Sequence, residues 1–255
     1  MNCIDEVLTS FNPISLGEMD TVLLMDRIDT KYIFATTHLT DVLGIIPSTY
    51  KILEINKSRN LPYRTIYLDT DDYLFFHQQM RGMLNIHKVR YRIYESTDTS
   101  FLEIKYKSNK MRTIKWRTNQ TFNGVYVDDE AINYLMEFLP IDVASLKPSM
   151  ISTFDRVTFA RLETKERITI DTNISFSSMD GMKIKTFPFL AILESKHDDY
   201  SNRSSFVRAL KNLHVRPLGF SKYCIGSATL FNLPRQNDLR PKFRILQKIA
   251  NDYHT

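Results

Sequence analysis

The sequence predicts an α+β fold, an antiparallel β-barrel with helices packed on its outside. Two observations lead there. Strand-like stretches with period-two alternation occur in both halves of the chain, and the helical stretches between them come at irregular intervals, unlike a regular βαβ wind. In addition, 43% of the 255 residues are hydrophobic and 12% aromatic, against only 7 glycines and 9 prolines. That is enough apolar surface for a sizeable core and too little Gly and Pro for disorder. With no repeat and no Gly/Ser/Pro linker, a single domain is expected over 1–255, its core at about 25–230 and a polar tail at 235–255.

Residues 1–25 read as a helical lead-in, with Ser15 and Glu18 spaced as a capping box ahead of Met19, Val22, Leu23 and Leu24. In the following DRIDTKYIF (26–34), Arg27, Asp29 and Lys31 alternate with Ile28, Thr30 and Tyr32, as in a strand. Residues 37–46 suit a short helix stopped by Pro47. KILEIN (51–56) and YRTIYLD (63–69) read as two strands around a basic turn, and 71–81 as a helix ending at Gly82.

The densest charge lies between Lys88 and Arg117. Lys88, Arg90 and Arg92 share one face of a strand, Glu103, Lys105 and Lys107 share one face of the next, and Arg112, Lys115 and Arg117 follow. The opposite faces carry Tyr91, Ile93, Ile104 and Tyr106. From this pattern alone the charged face looks either at water or at a ligand.

Residues 128–139 form a helix closed by Pro140, and 145–161 begin the second half. RITIDTNISF (167–176) is a strand with Arg167, Thr169 and Asp171 on one face, Asp180-Gly181 is a hairpin turn, and FLAILESK (189–196) is a strand with Ile192, Glu194 and Lys196 together. Residues 201–213 form an amphipathic helix with Phe206, Leu210 and Leu213 inward. The tail holds a helix at 241–250, a solvated or lid element.

Composition and motifs narrow the chemistry. The formal net charge of +5 suggests an anionic partner. There is no Gly-rich phosphate loop and no dinucleotide fingerprint. The six histidines are scattered without metal-ligand spacing, so a bound metal needs carboxylates, which favours Mg²⁺ or Mn²⁺. Ser48 and Lys51 match a Ser-x-x-Lys pattern that nothing else supports. Two cysteines, Cys3 and Cys224, make no disulfide framework, and no apolar run nears the roughly 18 residues of a membrane span. With no basic-then-apolar leader visible, a cytoplasmic setting is expected. If the charged faces turned inward, the lumen would need a polyanion such as a triphosphate or polyphosphate. Nucleic acid is not expected, because the aromatics alternate onto the buried face.

In order along the chain, DRIDTKYIF, KVRYRIY, FLEIKYK, the Arg156 segment, RITIDTNISF, ILESK and GFSKY resemble the VTC domain, the polyphosphate polymerase branch of the triphosphate tunnel metalloenzymes. The resemblance runs from about Met25 to about Gly226. It implies a tunnel of antiparallel strands open at both ends and lined with basic residues. It also implies a metal-dependent transfer of the γ-phosphoryl of a nucleoside triphosphate to phosphate or polyphosphate. Lys31, Arg90, Arg92, Lys105, Arg156 and Arg167 match the family's central basic positions. Lys107, Arg112, Lys196, Ser221 and Lys222 match further phosphate-binding ones. Glu194 resembles the metal-binding glutamate, with Glu103, Asp171 and Glu54 as lesser candidates. Lys115 and Arg117 match no motif and are placed outside the site. Two departures stand out. Phe154 occupies the family's Tyr-x-Arg tyrosine position, and the superfamily's opening E-x-E-x-K is Arg27-x-Asp29-x-Lys31. Hydrolysis of a triphosphate, or a non-catalytic polyphosphate or inositol-phosphate binding module serving a membrane protein, remain as alternatives on the same lumen.

Overall fold

The computed structural model describes residues 3–20, 28–109, 113–124, 127–197 and 205–254. Its strands are β1 (Pro13–Ile14), β2 (Ile28–Ala35), β3 (Lys51–Leu53), β4 (Leu61–Asp69), β5 (Ile86–Tyr94), β6 (Thr99–Lys107), β7 (Thr113–Asn119), β8 (Lys147–Arg161), β9 (Glu166–Ser177), β10 (Ile184–Phe187) and β11 (Leu190–His197). The helices are α1 (Cys3–Thr9), α2 (Leu16–Asp20), α3 (Leu39–Gly44), α4 (Leu74–Met80), α5 (Asp129–Met136), α6 (Ser205–Asn212), α7 (Lys222–Leu230) and α8 (Arg240–His254).

One large sheet carries the fold. Its main path runs β2-β11-β9-β8-β4-β5-β6-β7, antiparallel at every step, with β3 and β10 added on β8 and β9. Among the described residues no ladder joins β2 to β7. The sheet nonetheless curls until its ends face each other. Lys88 on β5 lines one cleft with Asp29 and Lys31 on β2, although β11, β9, β8 and β4 lie between the two strands in the sheet. The antiparallel tunnel expected from the sequence is thus present.

The alternation sorts the core into layers. On the outer face, Tyr32, Phe34, Phe159, Ile168, Ile170 and Leu193 pack with residues of α1, α3 and α6. Farther round, Ile66, Val89, Tyr91, Leu102 and Ile104 pack under Ala131 and Leu135 of α5. Helices therefore cover the outside, as expected. The third cluster lies on the inner face and joins Met150, Phe154, Phe176 and Ile192 to Tyr223, Ile225 and Leu230 of α7 and Leu246 and Ile249 of α8. Helix α7 fits there because residue 226 is glycine. A Cβ at Gly226 would lie 2.5 Å from Met150 Cε and 2.8 Å from Phe176.

Several expectations change. The lead-in is not one helix but α1 and α2 with β1 between them. Its capping box does form, Ser15 N–H and Oγ–H both donating to Glu18 Oε2 at 2.9 and 2.6 Å; Val22, Leu23 and Leu24 lie outside the described residues. Segments 51–56 and 63–69 do not pair with each other. β3 stops at Leu53 and pairs with β8 and β1, because Asn56 and Lys57 adopt positive φ and leave the strand. In α6, Phe206 and Leu210 are buried, but Leu213 lies just past the end of the helix and is exposed. The tail helix is longer than expected; one face is anchored in the inner core through Leu246 and Ile249, and the rest is solvated.

Candidate functional site

The inner face of the sheet is basic because the strand period puts alternate residues there, and the register then lines them up in rows. Lys88, Lys105 and Lys115 stand side by side on β5, β6 and β7, and Arg90, Glu103 and Arg117 form the next row. Across the lumen, Lys31 pairs in register with Glu194 and then Thr169, and Arg156 pairs with Asp171 and then Ile192.

Three carboxylates, Glu103 and Asp171 buried and Glu194 partly so, organise these cations, each holding two. Glu103, 1% exposed, accepts from Arg90 Nε at 2.9 Å and also pairs with Lys115. Asp171, 3% exposed, accepts a bidentate fork from Arg156 at 2.6 and 2.8 Å and also pairs with Lys222. Glu194 accepts from Lys31 at 2.5 Å, with Lys196 Nζ at 3.7 Å. Burial alone would raise all three carboxyls, but the paired cations outweigh it and hold each well below the usual range.

Other cations stand beyond these pairs. Among the described residues no carboxylate forms an ion pair with Lys88, Arg92 or Lys105. Arg92 is 9% exposed, and its Nε is buried without a hydrogen-bond acceptor. Burial, followed by the charge of Arg90, lowers its pKa. Burial brings Lys88, Lys115 and Lys222 down to about 8, with neighbouring cations adding to the effect in each. Aromatic rings form the floor between the rows. Tyr63 stacks on Phe154 at 5.4 Å, Arg156 lies 5.1 Å from both ring centroids, and Lys222 Nζ lies 4.1 Å from that of Phe154. Phe154, where a tyrosine was expected, thus supplies a ring face rather than a hydroxyl.

Helix α7 is delivered to the lumen by the segment before it, whose Leu218 N–H donates to the Lys31 carbonyl at 2.8 Å. Ser221 caps that helix, its Oγ accepting from Cys224 N–H at 3.3 Å. A cleft of about 450 Å³ opens at this mouth, lined by Asp29, Lys31, Lys88, Ser221 and Lys242 among others. A cleft of about 470 Å³ on the outer face, beside Tyr106, Trp116 and Phe138, has no Lys or Arg in its lining.

Most of the residues expected from sequence meet here. Lys31, Arg90, Arg92, Lys105, Arg156, Lys196, Glu194, Glu103, Asp171 and Lys222 share the inner face. Arg167 is on the same face beside Lys196, and its guanidinium donates to the Met19 carbonyl at 3.3 Å. Lys107 lies at the exposed end of β6, and Arg112 is outside the described residues. Glu54 is not brought to the ring. It lies past the end of β3 and pairs with Arg59 at 2.8 Å, which also donates to the carbonyls of Leu8 and Phe11. Lys115 was set outside the site, but its pairing with Glu103 puts it inside. Arg117 stays at the exposed edge, 4.9 Å from the Phe101 ring centroid. Lys88 and Tyr63 complete the ring without having been singled out. The signal for Lys88 and Lys115 was their place in the same alternation as Arg90 and Arg117.

A profile of the VTC domain matches residues 26–231. The chain belongs to the VTC domain family. No curated protein matches it. Among solved structures, it is similar to a Hippeastrum protein reported to have a dominant triphosphatase activity, at 11% identity and a TM-score of 0.50, covering 83% of this chain and 99% of that one. It is also similar to a candidate adenylate cyclase from Bacillus halodurans, at 12% identity and a TM-score of 0.46, covering 77% and 96%. A third is a candidate adenylate cyclase from Vibrio parahaemolyticus, at 15% identity and a TM-score of 0.44, covering 78% and 97%. At such identities the likeness speaks to the fold. Among the described residues no helix of this VTC-domain chain is long and apolar enough to cross a membrane.

Among the described residues, no three His, Cys, Asp or Glu side chains gather into a metal-binding cluster. A hard ion such as Mg²⁺ that arrives with phosphate oxygens needs few protein ligands, and the inner face offers the single carboxylates Glu103, Asp171 and Glu194. Glu194 lies beside Lys31 where β11 pairs with β2.

Proposed function

We propose that this VTC-domain protein transfers the γ-phosphoryl group of a nucleoside triphosphate, ATP above all, to inorganic phosphate or a growing polyphosphate chain. The observation that carries the reading is the uncompensated charge of the lumen. Among the described residues, Lys88, Arg92 and Lys105 are held on the inner face without ion-paired carboxylates. Burying cations unpaired is costly, and a polyanion threaded between the rows removes that cost. The family membership supports the same substrate class.

The chain's own residues would work by position and charge. Arg92, Lys88 and Lys105 bind the triphosphate directly. Arg90 and Arg156 stay oriented by Glu103 and Asp171, so their remaining N–H groups are aimed before substrate arrives. In the transfer, an ionised oxygen of the acceptor phosphate bonds to the γ-phosphorus. The bond from that phosphorus to the β-bridging oxygen breaks, and the nucleoside diphosphate leaves with the electron pair. The acceptor already carries its negative charge, so no side chain need remove a proton. Mg²⁺ or Mn²⁺, held by Glu194 and the phosphates, would neutralise further charge when bound.

Incubating the protein with ATP and Mn²⁺ tests this directly. Long polyphosphate is the expected product. Release of inorganic phosphate alone would replace the reading with triphosphate hydrolysis, and tight polyphosphate binding without turnover would replace it with a binding module.

A further inference from the structure

We propose that the C-terminal helix α8 completes a second anion subsite at the mouth of the lumen. There Lys242 and Ser221, adjoining Lys31 and Lys88 of the ring, would hold the stretch of a phosphate chain that extends beyond a triphosphate. The inference rests on the polyphosphate reading above and adds a residue outside the region matched by the family profile, which ends at 231.

The mouth cleft of about 450 Å³ brings together side chains from four separate elements. These are Lys31 of β2, Lys88 of β5, Ser221 at the start of α7, and Lys242 of α8. Its lining carries three lysines against the single carboxylate of Asp29. Lys31 and Lys88 also belong to the inner ring, so the cleft is continuous with the lumen and not a separate surface patch. The first turn of α7 adds to the attraction, because Ser221 caps a nine-residue helix whose N-terminal end lines the cleft.

Lys242 is held in place. Leu239, Leu246 and Ile249 bury themselves in the inner core on either side of it, and Phe243 packs against the same cluster. A flexible basic tail would lose much of its attraction to the entropy of ordering; a lysine on an anchored helix does not. Arg244, on the same helix, is exposed and absent from the cleft lining. It serves as the control for charge without placement.

Binding of tripolyphosphate and of long-chain polyphosphate is measured by calorimetry on the wild type, Lys242→Gln and Arg244→Gln, with melting temperatures to confirm folding. Lys242→Gln should weaken the long chain roughly fivefold, the scale of one half-exposed charged contact, and flatten its salt dependence. It should leave tripolyphosphate unchanged, and Arg244→Gln should leave both unchanged. An equal loss for both ligands, or no loss for either in the folded Lys242→Gln protein, would overturn the subsite. A wild type that binds neither ligand would overturn the polyphosphate reading itself, and the subsite with it.

Discussion

Asp171→Asn keeps the shape of the side chain and removes the charge that holds two cations. Asp171 is 3% exposed, and the side chains of Arg156 and Lys222 retain only 13% and 12% of their surface. Breaking a buried pair by removing one partner costs about 3–5 kcal/mol, because the partner charge stays buried. For a domain of this size that corresponds to a fall in Tm of roughly 6–20 °C. The lumen reading adds a condition that a purely structural ion pair would not meet. Arg156 and Lys222, freed of their carboxylate, become better anion ligands, so tripolyphosphate should raise the Tm of the variant more than that of the wild type. Thermal melts with and without tripolyphosphate read both effects. A loss below about 1 kcal/mol would show that the pair is effectively solvated. A loss that tripolyphosphate fails to repair would show that these two cations do not face the ligand.

Three further outcomes can be checked together. Glu194→Gln should abolish metal-dependent turnover while polyphosphate binding persists, and turnover at the wild-type rate would remove Glu194 from the mechanism. Lys88, Lys115 and Lys222, brought from their ordinary 10.5 to about 8, are charged at neutral pH and lose their protons as pH rises through about 8. Tripolyphosphate affinity should decline across that pH, whereas an affinity flat to pH 10 would mean these lysines do not touch phosphate. The same shifts act oppositely on the empty protein. Between about 8 and 10.5 the unfolded chain binds more protons, so these lysines make stability rise with pH in that window. Gly226→Ala places a methyl group 2.5 Å from Met150 Cε and 2.9 Å from a second Phe176 ring atom, and should cost about 1–3 kcal/mol in a urea melt. An unchanged midpoint there would mean that α7 is loosely seated.

The two lysines that sequence reasoning treated differently show where pattern gives out. Lys88 opens the strand of Arg90 and Arg92, and Lys115 follows a turn with no motif around it. Both end in the same row of the sheet, each one register step from Lys105. Glu54 erred in the other direction. It shares a local alternation with Asn56, but the chain turns at Asn56 and Lys57 and delivers it to Arg59 instead.

By itself, the sequence determined which residues share a strand face, since side chains alternate with period two whatever the strand packs against. It also determined that many of those faces are basic, and their order along the chain pointed to the family. Only the tertiary structure decided that the basic faces turn inward, because that depends on helices covering the apolar faces and on the sheet curling through its full width. The three carboxylates that each bridge two cations, the seating of α7 against the inner face and the arrival of Lys242 at the mouth cleft all depend on contacts between residues distant in the chain. No local period encodes such contacts, and they form only when the sheet curls and the helices pack onto it.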